Sequence, residues 1–258
     1  MCLIVIGWRC RPDLPLAVAA NRDEWRDRPA APAQWWNDHP RILAGRDLKA
    51  GGTWMGVTRD GRFAAVTNFR DPSDRRSTAR SRGELVTQFL IARGSPAAFL
   101  ASVAARAGDY NGFNLIVGDG ESLWYFGSRE GEARSIDPGV HGLSNHVLDE
   151  PWPKVIRGRR AMERALALDD PAPALFDLLG DAQGVPDAEL PDTGVGVEWE
   201  RRLASPLITG ADYGTRASTV VAFAAGGEVR FEEIARAPDG SVAGRGDHRF
   251  RIEPTPRG

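Results

Sequence analysis

Apolar residues along this chain follow two different rhythms. Residues 3–6 and 219–224 are almost continuously apolar, whereas a strand with one wet face alternates apolar and polar positions. Both faces of these segments are therefore expected to be covered. Three further pairs of short apolar runs are each split by a tight-turn dipeptide: 54–58 and 62–67 around Asp60-Gly61, 113–117 and 122–126 around Asp119-Gly120, 218–224 and 228–233 around Gly226-Gly227. Glycine supplies the positive φ that two-residue turns need, so each pair predicts a hairpin and the set predicts antiparallel sheet. Another hairpin is expected to join 3–8 and 16–20 through residues 11–14.

Helical spacing takes over between the strand groups. Leu85, Val86, Phe89 and Leu90 form one apolar stripe, with Ser81 or Ser77 before it as the expected N-cap. Ser95-Pro96 opens a second helix through Phe99, Leu100 and Val103, a third is expected from Pro153 through Leu168, and a weaker signal covers 172–179. Residues 180–196, rich in Gly, Pro and Asp, read as an insertion or long surface loop. The order is strands, two helices, strands, helices, strands. Two mainly antiparallel sheets face to face, with helices outside, satisfy both the continuous strands and the clustered helices. The expectation is an α+β fold, a four-layer αββα sandwich, with residues 1–258 forming a single domain. A split near residue 150 is the alternative, but no linker composition marks it.

Charge and composition remove several classes of function. A formal net charge of -2 over 258 residues gives no global field for nucleic acid or an acidic membrane surface. Cys2 and Cys10 are too few for a disulfide framework and nothing before them reads as a cationic leader, so a reducing cytoplasm is expected. No apolar run reaches membrane-spanning length, and no Walker, GxGxxG, GxSxG or HExxH motif is present. His141 and His146 lack the spacing and cysteine partners of a zinc site, so no metal is expected. Trp35-Trp36, near Pro32 and Pro40, reads as a loop clamp. Arg70, Arg75, Arg76, Arg80 and Arg82 cluster among Asp71, Asp74 and Glu84. A solvated loop is the plain explanation, and the functional one is that Arg82 and the helix start after it receive a phosphate or carboxylate.

Candidate chemistry begins at Met1-Cys2. Aminopeptidases remove Met1 when the second residue is small, which would leave Cys2 with a thiol of pKa about 8.5 beside an α-amine of pKa about 8. A nucleophile and its base then share one residue, and no histidine is required. The plainer reading of position 2 is the buried start of a strand. Asn21-Arg22-Asp23-Glu24-Trp25 follows the second strand, and the first hairpin would return this block toward Cys2. Arginine stabilises a thiolate or a developing oxyanion, and a carboxylate orients an α-ammonium. A charged turn anchored by Trp25 is the competing reading.

Cys2, Asn21 to Glu24, Gly51-Gly52-Thr53-Trp54-Met55-Gly56, Thr67-Asn68, Ser81-Arg82-Gly83, Gly112-Phe113-Asn114-Leu115, Gly142-Leu143-Ser144-Asn145 and Gly214-Thr215-Arg216 together resemble the NRDE family, also called the transport and Golgi organisation 2 family. That family resembles the cysteine branch of the N-terminal-nucleophile hydrolases, which contains penicillin V acylases and bile salt hydrolases. The resemblance implies the same αββα sandwich, with Cys2 as nucleophile. It implies that Arg22, with Asp23 or Glu24, is the early polar pair, Asn145 the later asparagine and Arg216 the last arginine. The branch carries Arg-Asn-x-Asp-Trp where this chain has Asn-Arg-Asp-Glu-Trp, which leaves the register open. Asn21, Glu24, Trp54, Asn68 and Arg82 are the expected substrate contacts.

Two classes of function follow. One is an N-terminal-cysteine amidohydrolase or acyltransferase acting on an acyl amide or thioester, with no cofactor required. The other is a non-enzymatic carrier of a hydrophobic or acyl anionic small molecule, since the family has been linked to haem and to acyl-CoA or lipid trafficking; haem would then be a ligand, with Cys2 on its iron or inert. The polar block favours the enzyme, because a passive hydrophobic carrier does not need it. Nothing in the sequence sets the oligomeric state.

Overall fold

The structure, a computed structural model, describes residues 2–74 and 76–253, with Cys2 described through its backbone alone. Met1 and its removal, the Cys2 thiol and the Arg75 member of the basic cluster lie outside the described residues. So do residues 254–258.

The first sheet contains β1 (Cys2–Trp8), β2 (Leu16–Trp25), β10 (Gly139–Leu143), β11 (Tyr213–Phe223), β12 (Glu228–Arg236) and β13 (Val242–Arg251), in spatial order β10-β1-β2-β11-β12-β13. The second runs β3 (Ala30–Trp35), β4 (Ile42–Asp47), β5 (Met55–Thr58), β6 (Phe63–Asn68), β7 (Phe113–Gly118), β8 (Leu123–Gly127) and β9 (Ala133–Ser135), in sequence order. Every neighbouring pair in both sheets is antiparallel.

The period of two in each strand explains why the central strands carry apolar residues at every position. Ile4, Ile6 and Trp8 of β1 and Leu16, Val18 and Ala20 of β2 face the second sheet, where they meet Leu43, Met55, Val57, Phe63 and Ile116. Leu3, Val5, Ala17 and Ala19 face the other way. They pack against α3 (Pro153–Ala165) and α4 (Ala172–Leu179) through Val155, Met162, Leu175 and Leu179. Across the molecule, α1 (Gly83–Ile91) and α2 (Pro96–Ala104) set Leu85, Val86, Phe89, Leu100 and Val103 on the outer face of the second sheet. The chain is therefore the α+β, four-layer αββα sandwich that the apolar pattern predicts. Phe89 is fully buried in this outer layer, and its truncation to alanine should cost about 3–5 kcal/mol.

Several local features differ from expectation. Neither Ser81 nor Ser77 caps α1. Arg82 occupies the cap position in helical conformation with no side-chain cap, and Ser81 contributes its carbonyl to the Glu84 N–H at 3.1 Å. Ser95 does cap α2, its Oγ accepting from the Ala98 N–H at 3.3 Å ahead of Pro96. The tryptophan pair does not clamp a loop: Trp35, the last residue of β3, and Trp36 just after it pack into cores on opposite faces of the second sheet. Trp35 packs edge-on against Phe250, while Trp36 is buried and donates Nε1–H to the Ala44 carbonyl at 3.0 Å. A fifth helix, α5 (Val197–Leu203), follows the 180–196 loop. No described helix is long and apolar enough to cross a membrane.

Candidate active site

Strand pairing sets Cys2 directly opposite Arg22. From there the alternation of β2 splits the Asn-Arg-Asp-Glu block between two faces. Arg22 continues the face of Val18 and Ala20, toward the second sheet, where its guanidinium lies 4.2 Å from the centre of the Trp54 ring. Such a cation–π contact contributes about 1 kcal/mol.

Glycines allow Trp54 to reach this position. A Cβ at Gly45 would overlap the Trp54 ring, so the indole crosses β4 only because that residue has no side chain. A Cβ at Gly52 would lie 2.6 Å from the Gly83 carbonyl carbon, and Gly51 has φ +77°. The 51–53 loop therefore sits directly on the start of α1, with the Thr53 N–H donating to the Gly83 carbonyl at 3.3 Å. Strand end, loop and helix start enclose a cleft of about 470 Å³, lined by Arg22, Asp23, Glu24, Trp54, Asn68 and Arg82 from the expected set. Arg28, Asp47, Lys49 and Arg80 also line it, and the sequence reading did not single them out for this role. Arg28 pairs with Asp47 at 2.7 Å, Arg80 with Glu84 at 2.7 Å, and Arg82 donates to the Gly112 carbonyl at 3.1 Å.

Asn21 is not on the cleft wall. It continues the face of Ala17 and Ala19, and its buried Nδ2 donates to the carbonyls of Leu179 at 2.9 Å and Pro206 at 2.8 Å. Those carbonyls stand at either end of the 180–206 excursion, so Asn21 staples its neck. Asp23 is buried on the same face, accepting from the Thr215 hydroxyl at 2.6 Å. Burial pushes its carboxyl up, against the opposing charges of Lys154 and Arg70 and the Thr215 hydrogen bond. Arg70 is itself buried in an ion pair with Glu200 of α5.

Asn145 is fully buried, its Nδ2 donating to the Asn68 carbonyl at 2.9 Å while its own carbonyl accepts from the Arg70 N–H at 2.7 Å. It fastens the end of β10 to the end of β6. Arg216 occupies a bulge in β11 opposite β2. Its Nη1 faces the carbonyls of Trp25, Arg26 and Arg28 at 2.8, 3.3 and 3.1 Å, which holds the β2–β3 turn. Neither residue lines the cleft.

Lys154, Glu200 and Glu233 were missed in the sequence, and all are buried. Burial pushes the Glu233 carboxyl up, relieved by the Ala33 N–H at 2.7 Å, the Thr219 hydroxyl and the Arg22 charge. Two signals were present. Glu233 falls in step with the inward Val229 and Phe231 of β12, and Lys154 is one of only two lysines in the chain. The histidines form local pairs, His141 with Asp149 at 2.7 Å and His146 with Glu150 at 2.9 Å. Among the described residues no group of three or more His, Cys, Asp or Glu is placed to hold a metal ion.

The model of the Transport and Golgi organisation 2 family matches residues 1–238. The chain is 38% identical over 280 residues to a Transport and Golgi organization protein 2 homolog of Bos taurus, covering 98% of this chain and 100% of that one. It is 37% identical over 257 residues to the Homo sapiens homolog, covering 90% and 92%. Among solved structures it is similar to a Caenorhabditis elegans ortholog of N-acylethanolamine-hydrolyzing acid amidase, with TM-score 0.40, 10% identity and 85% and 92% coverage. It is also similar to a mutant conjugated bile acid hydrolase from Clostridium perfringens, with TM-score 0.41, 9% identity and 98% coverage of both chains.

Proposed function

The chain belongs to the Transport and Golgi organisation 2 family, and from that premise we propose that it is an N-terminal-cysteine amidohydrolase or acyltransferase acting on an acyl amide or thioester that bears an anionic group. The observation that carries this reading is the polar cleft at the end of β1 and β2, where Arg22 sits over the Trp54 ring in the register position opposite Cys2. In the proposed reaction the Cys2 thiolate attacks the acyl carbonyl. A backbone N–H receives the oxyanion, and Arg22 favours the thiolate. Collapse expels the amine or thiol, which takes its proton from the Cys2 α-ammonium. Water, or an acceptor amine or thiol, then attacks the acyl-enzyme and returns a proton to the α-amine. Asp23 orients that α-ammonium. Lys49 and Arg82 on the wall favour an anion in the cleft.

The carrier reading draws less support from this lining. A porphyrin or long acyl chain calls for an extended apolar surface, and the cleft wall is mainly charged and polar, with no His, Met or Tyr among its described residues. The test is a panel of acyl amides, acyl-CoA thioesters and N-acyl amino acids, run beside a haem titration on wild type and Cys2→Ala. Acid release by wild type, lost by several orders of magnitude in Cys2→Ala with ligand binding retained, is expected. A blank panel with a Cys2-dependent haem spectrum would replace the enzyme with the carrier.

A further inference from the structure

The first sheet ends on β13, which pairs with β12 on one side and with no described strand on the other. The remaining sheet edges are blunted in ways that discourage further pairing: β9 is three residues long, β10 five, and β3 carries Pro32 and a break in register between Ala31 and Gln34. β13 has none of these protections. It runs ten residues without proline, and its one irregularity, between Val242 and Gly244, lies at its start.

The Ile252 N–H donates to the Gly227 carbonyl at 2.8 Å, which sets the backbone groups of the even-numbered residues from Gly244 onward toward β12. Those of Arg245, Asp247, Arg249 and Arg251 therefore face the open side, where a further strand would bond to them. Side chains divide by the same alternation. His248 and Phe250 lean on the second sheet, through the Ala33 carbonyl at 3.1 Å and the Trp35 ring at 5.0 Å. Arg245, Asp247 and Arg249 stand on the helix side, where Arg245 lies 5.8 Å from the Phe176 ring centre and Asp247 pairs with Arg249 at 3.3 Å. Directly across from Asp247 on β12 is another acid, Glu232. The place for a second cation beside Asp247 is on its open side.

This order of charges fits a copy of itself. In an antiparallel pair with a two-fold axis at Gly246, Arg245 stands opposite Asp247 of the second copy, and Asp247 opposite Arg245 of the second copy. The other face of the same register sets Val242 against Phe250 twice. Moving the axis by one residue sets Asp247 on Asp247 and Arg245 on Arg249 in one direction, and Arg245 on Arg245 in the other. Opposite charges directly across a strand pair stabilise it and like charges destabilise it, so charge selects the Gly246 register. We propose that β13 is a homodimer interface, in which two copies join edge to edge about Gly246 and their first sheets continue as one.

The experiment is sedimentation equilibrium of the full chain and of charge reversals, each checked for folding by circular dichroism. Wild type should be dimeric at micromolar concentration. Arg245→Asp and Asp247→Arg, both at exposed positions, should each weaken association by about a hundredfold, because both cross-strand pairs become like-charged. The double variant should restore it. A monomeric wild type, a dimer indifferent to the single reversals, or a double variant that stays dissociated would overturn the proposal.

Crosslinking reads the register independently, even if a reversal fails to fold. Antiparallel partners at a non-hydrogen-bonded position lie about 4.5 Å apart at Cα, within disulfide range, and a Cβ at Gly246 would meet only the His248 ring, at 3.6 Å. In a Cys10→Ser background, Gly246→Cys should form a covalent dimer on oxidation, measured against the background alone. Gly244→Cys, which would face His248 of the second copy, should not. Equal crosslinking at the two positions, or none at Gly246→Cys, would overturn the register.

Discussion

Replacing Asn21 by leucine keeps the side-chain volume and removes both donors of the staple. The two carbonyls it serves, Leu179 and Pro206, are reached at 2.9 and 2.8 Å from a residue that is 1% exposed. A buried carbonyl left without its donor costs about 1–3 kcal/mol. Two such losses, partly relaxed by movement of the neck, should weaken the docking of residues 180–206 by about 3 kcal/mol. At about 1.4 kcal/mol per decade, opening of this segment becomes roughly a hundredfold more frequent. Hydrogen exchange of the α5 amides reads that opening directly. The expected result is exchange in α5 faster by about two decades in Asn21→Leu, with α1, on the far side of the molecule, changing much less. Unchanged α5 exchange would refute the staple. Equal acceleration in α1 and α5 would show global destabilisation and refute its local character.

Two further outcomes are expected. Gly45→Ala places a methyl group in the Trp54 indole, so it should cost about 1–3 kcal/mol and change tryptophan emission as the Arg22 stack is displaced; unaltered emission and stability would exclude the packing described. For His141, the Asp149 hydrogen bond is the main reason that its imidazole is held above the ordinary range. A raised histidine stabilises the fold fully below its unfolded pKa of about 6.5 and loses that contribution as pH rises through the folded value. His141→Gln should therefore destabilise by on the order of 1 kcal/mol near pH 5.5 and converge with wild type near pH 8.5 in thermal melts. A pH-independent difference would count against the ion pair.

The layers were legible because residues 3–6 and 220–224 are apolar at every position, which in a strand means two covered faces. The hairpins were legible because their turns need glycine. The strand β13 was not, since none of its residues is buried and its half-covered positions, Gly246, His248 and Phe250, do not read as an apolar stripe. Helix α5 is short and follows a loop rich in Gly and Pro, so its pattern is too brief to register. Within the site, the Asn-Arg-Asp-Glu block stood out as polar residues after an apolar strand, but the division of labour inside it is set by strand register. Arg216 looked like site chemistry because it ends a motif. A bulge that no local residue announces turns it toward three backbone carbonyls instead. The buried charges were hidden for a different reason: Lys154, Arg70 and Glu200 lie far apart in sequence, and only the packing of α3 and α5 brings them to one crevice.

The two-sided use of β2 also determines where this chain tolerates changes in length. A single residue inserted ahead of Asn21 would exchange the faces of everything after it, moving an amide into the cleft and a guanidinium against the carbonyls of Leu179 and Pro206. Residues 182–196 face no such constraint, because their ends are tied at the neck and an added residue there lengthens only a surface excursion, at an entropic cost that grows slowly with loop size. A change in length should therefore be absorbed outside the staple more readily than within the ten residues of β2.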